Sequence, residues 1–155
     1  MENIKLKEQL LAKFENIKID AIEISNQLII IVSKENLFGV CRALKENAAF
    51  EFDYLSFVTA VDRPNNIEVV YELISTKKNH RVRVKVNLTK ESPEIDSVTG
   101  LWAGANWHER ETYDLFGVNF INHPNLTRIL TPDDFEGFPF RKDYKNPEIV
   151  RMPND

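Results

Sequence analysis

The stretch IEVVYELISTKKNHRVRVKVNL, residues 67–88, decides the fold because it predicts two β-strands joined by a polar turn. Aliphatic and β-branched residues dominate Ile67–Ile74 and Arg81–Leu88, which favours an extended backbone in both segments. The residues at 76–79 (TKKN) between them are typical of a turn. The segment therefore predicts a β-hairpin near the middle of the chain.

The second strand of this hairpin alternates apolar and basic side chains, so its two faces differ. One face carries Val82, Val84 and Val86, and the other carries Arg81, Arg83 and Lys85. Glu68 and Glu72 can pair with the basic row as exposed ion pairs, each worth about 0.2–1 kcal/mol. A basic row can contact RNA or anionic lipid, but the net charge of −4 gives no attraction to phosphate backbones. We interpret the strand as an edge strand that its charges protect from aggregation.

The sequence before the hairpin predicts a helix and two strands. Residues 5–15 predict an amphipathic helix whose apolar stripe consists of Leu6, Leu10, Leu11 and Phe14. A strand at Ile17–Ile24, a tight turn at Ser25-Asn26 and an interior strand at Leu28–Val32 follow.

A second helix and a third strand fill the interval before the hairpin. Ser33 is placed as the N-cap of a helix over 34–46, whose apolar stripe consists of Leu37, Val40, Cys41 and Leu44. Phe50–Val61 predicts a strand, and residues 62–66 (DRPNN) predict the turn into the hairpin. The order α-β-β-α-β-β-β is typical of an α+β two-layer sandwich, with a mixed, mainly antiparallel sheet covered by two helices.

Composition argues against a metal or cluster site and against a membrane span. Cys41 is the single cysteine of 155 residues, so we expect a packed core thiol and neither a disulfide nor an iron–sulfur site. The histidines lack metal-ligand spacing, and no glycine-rich phosphate loop is present. The longest apolar run, Leu28–Val32, is far shorter than the ~20 residues of a spanning helix. The first residues, MENIKLKEQL, are not those of a targeting peptide, so we expect a soluble protein that reaches a membrane only through a partner.

Residues 106–117, NWHERETYDLFG, predict a short helix with clear ends. Asn106 and Glu109 have the spacing of a capping box, and Gly117 is placed to end the helix in the left-handed conformation. Arg110 lies within reach of Glu111 and Asp114, so spacing favours a solvated face with local ion pairs. The alternative is a buried polar network that fixes how the following segment leaves the helix.

The segment after about Pro93 is broken by proline and glycine but is rich in large aromatic residues. Such residues need a surface to pack on, since leaving each in water forfeits roughly 1.5–3 kcal/mol. We therefore divide the chain into one α+β domain at 1–120, including the helix at 106–117, and an extended docking tail at 121–155. The surface on which this tail docks can be its own domain's sheet or the groove of a partner protein. Asp133, Asp134 and Glu136 in this tail are read as a solvated turn, in preference to a calcium loop or the carboxylates of a hydrolase.

The same segment resembles the signature of the thirty-kilodalton (C) subunit family of respiratory complex I, the NADH:quinone oxidoreductase. The matching run E-R-E-x-x-D-[LM]-[FY]-G stands here at 109–117. It continues with HPNL at 123–126, RIL at 128–130, PDDFEG at 132–137 and PFRKDY at 139–144. Phe138–Phe140 departs from the family pattern, which has a smaller residue there.

The resemblance implies a cofactor-free subunit of the peripheral arm that packs on the forty-nine-kilodalton (D) subunit near the quinone site. FMN, the iron–sulfur clusters and quinone are expected on other subunits, and nucleic acid is not an expected partner. The expected location is the cytoplasmic side of a bacterial inner membrane, peripherally bound through the complex. The residues expected to form the signature or the partner interface are Trp107, Glu109, Arg110, Glu111, Asp114, Phe116, Gly117, His123, Pro124, Arg128, Phe135, Phe138, Arg141, Asp143 and Tyr144.

Two alternatives remain open at the level of sequence. The chain could be the equivalent subunit of a related membrane-bound hydrogenase or ferredoxin-fed complex, because other subunits choose the electron donor. It could also be a free-standing protein-binding module whose aromatic tail captures an unrelated partner. In the leading interpretation Arg110, Glu111 and Asp114 maintain the signature helix and its exit path, and act on activity only through assembly.

Overall fold

The computed structural model of the chain describes residues 2–146. Its elements, in chain order, are α1 (Glu2–Lys13), β1 (Asp20–Ile24), β2 (Gln27–Ile31), α2 (Leu37–Glu46), β3 (Tyr54–Asp62), β4 (Ile67–Ser75), β5 (His80–Leu88), β6 (Glu94–Asp96), α3 (Ala105–Phe116) and β7 (Asn119–Ile121). This order confirms the predicted α+β arrangement and adds a short parallel pair, β6 and β7, that the sequence did not reveal. The last nine residues of the predicted tail lie outside the described part of the chain.

The main sheet has five strands in the order β1-β2-β5-β4-β3. β2 and β5 pair in parallel, and the other neighbours are antiparallel, which confirms the mixed, mainly antiparallel sheet. The hairpin between β1 and β2 turns at Ser25 and Asn26, whose φ angles of 50° and 64° are those of a tight two-residue turn.

β5 is the central strand of this sheet, so the prediction of a charge-protected edge strand was wrong. Val82, Val84 and Val86 are fully buried, while the basic residues of the other face remain partly or fully exposed. The alternation of apolar and basic residues along β5 arises because one face of the sheet packs on the core and the other face is exposed to solvent. A central strand in such a sheet has the same pattern as an edge strand.

The predicted ion pairs across the β4–β5 hairpin are present. Glu72 lies opposite Arg83, with 2.8 Å between Oε2 and Nε, and Glu68 lies 3.1 Å from the Lys85 ammonium. The prediction that these pairs are exposed was wrong, because the side chains of Glu72 and Glu68 are only 6% and 14% exposed.

One hydrophobic core joins the helices to the packed face of the sheet. α1 contributes Leu6 and Leu10, α2 contributes its whole predicted stripe, and Phe14 follows α1 into the same cluster. Leu11, which was assigned to the first stripe, is instead 40% exposed. α3 packs against β3, where the Thr112 hydroxyl is 3.4 Å from the Val58 carbonyl oxygen.

Several predicted boundaries differ from the structure. α1 spans Glu2–Lys13, whereas the sequence predicted residues 5–15. α2 begins at Leu37 after Asn36, and Ser33 starts the preceding turn by accepting the Asn36 N–H, so Ser33 is not its N-cap. β1 begins at Asp20, later than predicted. β3 begins at Tyr54, because Phe50 and Phe52 enter the core from a turn in which Glu51 has a φ of 47°.

Candidate functional site

Glu109 faces the core from the first half of α3 and does not cap the helix, so the predicted capping box is wrong. The residue before α3 is Gly104, and the first N–H groups of the helix are bonded to the carbonyl oxygens of the preceding turn. The fully buried Glu109 carboxylate accepts hydrogen bonds from the Ser97 hydroxyl (2.7 Å) and the Val98 N–H (2.8 Å). Glu109 therefore joins α3 to the turn that follows β6.

Burial raises the pKa of Glu109 to about 7, although the hydrogen bonds from Ser97 and Val98 act in the opposite direction. The imidazole of His123, itself fully buried, has Nε2 4.0 Å from Glu109 Oε2. His123 Nδ1 accepts the Asn125 N–H at 3.0 Å, so Nε2 carries the proton in the neutral ring and donates it to the Asn106 carbonyl oxygen at 3.1 Å. His123 thus connects the start of α3 to the chain beyond β7.

Asp114 organises the segment that leaves the helix. We call residues 122–146 the strap. The Asp114 carboxylate is fully buried and accepts the N–H groups of three consecutive strap residues, Ile129, Leu130 and Thr131, at 2.7–3.0 Å. It also accepts the Thr131 hydroxyl and pairs with the Arg128 guanidinium at 3.0 Å.

The pKa of Asp114 follows from these contacts. Burial alone would raise it, but the hydrogen bonds from the Thr131 hydroxyl and the three backbone N–H groups outweigh burial and lower it to about 2. The ionised carboxylate therefore fixes a full turn of the strap at ordinary pH. The buried polar network considered from the sequence is present, and the alternative ion pair between Arg110 and Asp114 is wrong.

The side chains of Arg110 and Trp107 contact each other on the outer side of α3. The Arg110 guanidinium carbon lies 4.7 Å from the Trp107 ring centroid, in cation–π contact. Arg110 also donates to the carbonyl oxygen and the hydroxyl of Thr127, at 3.1 and 2.9 Å. Trp107 nevertheless remains 62% exposed. Glu111 is exposed and makes no hydrogen bond or ion pair with the described residues. The structure thus shows no contact through which Glu111 would maintain the helix or its exit path, in contrast to the expectation from the sequence.

Gly117 ends α3 as predicted, in the left-handed conformation with a φ of 77° and its N–H bonded to the Tyr113 carbonyl oxygen. The Phe138 ring packs directly on it, since a Cβ at Gly117 would lie 2.6 Å from two ring carbons. The guanidinium groups of Arg128 and Arg141 lie 5.2 and 5.5 Å from the centre of this ring. The missing side chain of Gly117 thus makes room for the Phe138 ring.

The far end of the strap is held to the domain by a second set of polar contacts. Arg141 donates to the carbonyl oxygens of Phe116 and Lys90, at 2.6 and 3.1 Å. The Lys142 N–H donates to Asp62 at 2.8 Å, and the Lys90 ammonium lies 2.6 Å from the same carboxylate. Sequence reasoning missed this role of Asp62 because its only local signal was that of a turn residue at the end of a strand.

The strap covers part of its aromatic surface within the chain and leaves part of it exposed. Phe135 stacks on Tyr144 with ring centroids 5.9 Å apart, and both are half-buried. Leu130 and Phe140 are 63% and 60% exposed although they lie beside the contacts that fix the backbone. Pro124 and Asp143 are also exposed, at the two ends of the strap.

The described part of the chain also bears on three other possibilities: a metal site, a reactive cysteine and a membrane-spanning helix. No group of three or more His, Cys, Asp and Glu side chains among residues 2–146 is placed to hold a metal ion. Cys41 is fully buried, as predicted, and burial raises its pKa to about 12, which disfavours the nucleophilic thiolate. No helix in the same range has the length and apolar content that crossing a bilayer requires.

The chain is similar to known proteins in both sequence and structure. The family profile described as the respiratory-chain NADH dehydrogenase 30 kDa subunit matches residues 30–149. The C subunit of NADH-quinone oxidoreductase from Citrifermentans bemidjiense is 44% identical over 144 residues, which are 91% of this chain and 86% of that protein. A trypsin-resistant Nqo5 fragment superposes with a TM-score of 0.66 at 31% identity, over 81% of this chain and all of the fragment.

A structure of a membrane-bound sulfane sulfur reductase, described as an archaeal respiratory membrane complex, contains a chain that superposes with a TM-score of 0.79. That chain is 25% identical, and the match covers 94% of this chain and 86% of the other. The family match spans the strap as well as most of the sheet. The chain therefore belongs to the family of the respiratory-chain NADH dehydrogenase 30 kDa subunit.

Proposed function

We propose that this chain is a cofactor-free structural subunit of the peripheral arm of a proton-translocating NADH:quinone oxidoreductase. In this proposal the strap docks on the D subunit near the quinone site. Family membership supports the complex, because relatives such as the Citrifermentans protein are named as subunits of NADH-quinone oxidoreductase. The complex would lie on the cytoplasmic side of a bacterial inner membrane, and this chain would reach the membrane only through it.

The observation that carries the proposal is the pair of exposed apolar side chains, Leu130 and Phe140, on a strap whose backbone is fixed. Asp114 and Arg141 hold the strap against its own domain through hydrogen bonds. A preordered segment loses less conformational entropy on association. Burying each exposed side chain in a partner would contribute roughly 1.5–3 kcal/mol.

The proposal assigns FMN, the iron–sulfur clusters and quinone to other subunits. A cluster needs several cysteine ligands, and this chain has only one, which is fully buried in the core. In this proposal the chain has a structural role, and it affects electron transfer only because the complex needs it to assemble.

Affinity purification from native membranes tests the proposal. A tagged wild-type chain should bring the D subunit with it in stoichiometric amount. The double variant Leu130→Ser/Phe140→Ser should recover much less of that subunit, because both apolar contacts are lost. Ile24→Ser is the matched control, since Ile24 is 55% exposed on the edge strand β1, away from the strap. A wild-type chain that purifies as a monomer would instead support a free-standing binding module.

A second candidate is the equivalent subunit of a related membrane-bound complex, such as a hydrogenase or a ferredoxin-fed enzyme. The superposition on a chain of the sulfane sulfur reductase complex, over 94% of this chain, favours it. Mass spectrometry of the purified complex distinguishes the two candidates. NADH-oxidising subunits support the first, and hydrogenase-like or sulfur-reducing subunits without them support the second.

A further inference from the structure

A groove with a volume of about 590 Å³ opens beside the start of α3, whereas Asp114 lies near the end of that helix. Four structural segments line it: α2, the end of β6 with the turn after it, the first turn of α3, and the turn after β7. The lining residues include Phe38, Asp96, Ser97, Asn106, Asn122 and Pro124.

Glu109 and His123, two residues of the signature, connect the segments that line the groove through buried hydrogen bonds. Glu109 binds the turn after β6 through Ser97 and Val98. His123 binds α3 through the Asn106 carbonyl oxygen and fixes the start of the strap through the Asn125 N–H. The buried polar groups of the signature therefore form two sets, one that fixes the strap and one that shapes this groove.

The groove carries an unpaired negative charge. Asp96 is half-buried, and its side chain makes no hydrogen bond or ion pair with any residue of the described range. None of the described lining residues is Lys, Arg or His, and the amide oxygens of Asn106 and Asn122 add further hydrogen-bond acceptors. The start of α3 contributes roughly half a positive charge, which the full charge of Asp96 exceeds. Phe38 and Pro124 supply apolar walls.

We propose that this groove receives a lysine or arginine side chain of the D subunit. The inference rests on the proposed function and names the chemistry of a second contact. The cationic group would pair with Asp96 and the Asn acceptors, and its aliphatic stem would lie against Phe38 and Pro124. Phe38 can also stabilise the cation through its ring face. The strap and the groove then engage the same partner from the two ends of α3.

Binding of the full chain to the purified D subunit, measured at low and high salt, tests this inference. Asp96→Asn removes the charge at constant shape and should weaken binding about tenfold at low salt, with a smaller salt dependence. Asn106→Lys places a competing cation in the groove and should weaken binding to a similar extent. Asp20→Asn is the control, because Asp20 is an exposed carboxylate on the edge strand β1.

The outcomes separate this inference from the proposed function. If the wild-type chain shows no binding to the D subunit, the proposed function fails. If Leu130→Ser/Phe140→Ser weakens binding while the folded Asp96→Asn and Asn106→Lys variants bind like wild type, only the groove proposal is overturned. Equal salt dependence of wild type and Asp96→Asn overturns it as well.

Discussion

At the scale of single residues, Asp114 makes the largest set of contacts in the signature helix. A buried carboxylate is costly unless hydrogen bonds and a counter-charge satisfy it. Here three backbone N–H groups, a hydroxyl and Arg128 all converge on it. Its negative charge therefore converts an irregular segment into one fixed turn.

Replacing Asp114 with Asn should destabilise the protein by about 2–4 kcal/mol and release the strap. The amide cannot neutralise Arg128, and only one of its two terminal atoms accepts hydrogen bonds. Urea unfolding gives the loss in free energy, and limited proteolysis reports cleavage between Arg128 and Lys142. Glu111→Gln, an exposed change on the same helix, is the control and should leave both measurements unchanged.

The ionisation of Asp114 also predicts an acid transition. Its folded pKa of about 2 lies below the ordinary value of 3.8. The stabilisation is thus fully present above about pH 4 and is lost as the pH falls through the folded pKa. Acid unfolding of Asp114→Asn should lack this component.

Glu109 predicts a pH dependence of the opposite sign. Its pKa rises from 4.5 to about 7 on folding, so between these values the folded state retains a proton that the unfolded state has lost. The wild type should therefore lose stability as pH rises through this window, by roughly 3 kcal/mol in total.

Glu109→Gln should keep the bonds to Ser97 and Val98 without a titrating group. Unfolding free energies of wild type and variant at pH 5, 6, 7 and 8 are the measurement. We expect the variant to gain on the wild type as pH rises, since only the wild type must bury a charge. A difference between the two proteins that does not change with pH would contradict the assignment of Glu109.

At the scale of elements, the end of α3 depends on the absence of a side chain at Gly117. Gly117→Ala adds the cost of a left-handed alanine and places a methyl group against the Phe138 ring. We expect a loss of about 2–4 kcal/mol in unfolding free energy, measured with urea. Gly117→Ala/Phe138→Leu should recover part of it by relieving the clash.

Gly39 provides the matched glycine control. It lies exposed within α2, and a Cβ there would meet no atom within 4 Å. Gly39→Ala should therefore stabilise the protein by about 0.5–1 kcal/mol, because alanine favours a helix interior. Equal effects of the two substitutions would contradict both the left-handed conformation of Gly117 and the packing of Phe138 on it.

The elements were predictable from the sequence where local pattern determines them. The left-handed residue at Gly117 and the turn at Ser25-Asn26 follow from short-range backbone chemistry, and both were correct. Glu109 was misassigned because a glutamate three residues after Asn106 fits a capping box by spacing alone. Its true partners, Ser97 and Val98, lie eleven or twelve residues earlier and meet it only through the tertiary fold.

The position of β5 shows the same limit at the level of the sheet. Alternation along Val82, Val84 and Val86 correctly predicted one packed face. The parallel pairing of Ile30 with Val84, which places β5 at the centre, depends on a crossover through α2, β3 and β4. No local pattern in either strand encodes that pairing.

At the scale of the whole molecule, the domain and the strap have different roles. The domain fixes the strap at Asp114 and Asp62, and the strap exposes Leu130 and Phe140. Family resemblance identified the segment, but spacing alone did not show that much of it packs on its own domain. The partner-facing role of the strap stays a prediction.

Arg110→Ala should lower the amount of assembled complex while electron transfer per assembled complex stays near normal. The substitution removes the cation–π contact with exposed Trp107 and both hydrogen bonds to Thr127. Quantitative immunoblotting of membranes gives assembly, and NADH:quinone activity divided by that amount gives turnover. Normal assembly with abolished turnover would overturn a purely structural role.

Side-chain footprinting with hydroxyl radicals, applied to the free chain and to the assembled complex, tests the central claim most directly. Leu130 and Phe140 should be oxidised readily in the free chain and several-fold more slowly in the complex, because the neighbouring subunit shields them. Phe52, which is fully buried, should react in neither state. Equal oxidation of Leu130 and Phe140 in both states would contradict the account of the strap as a docking surface.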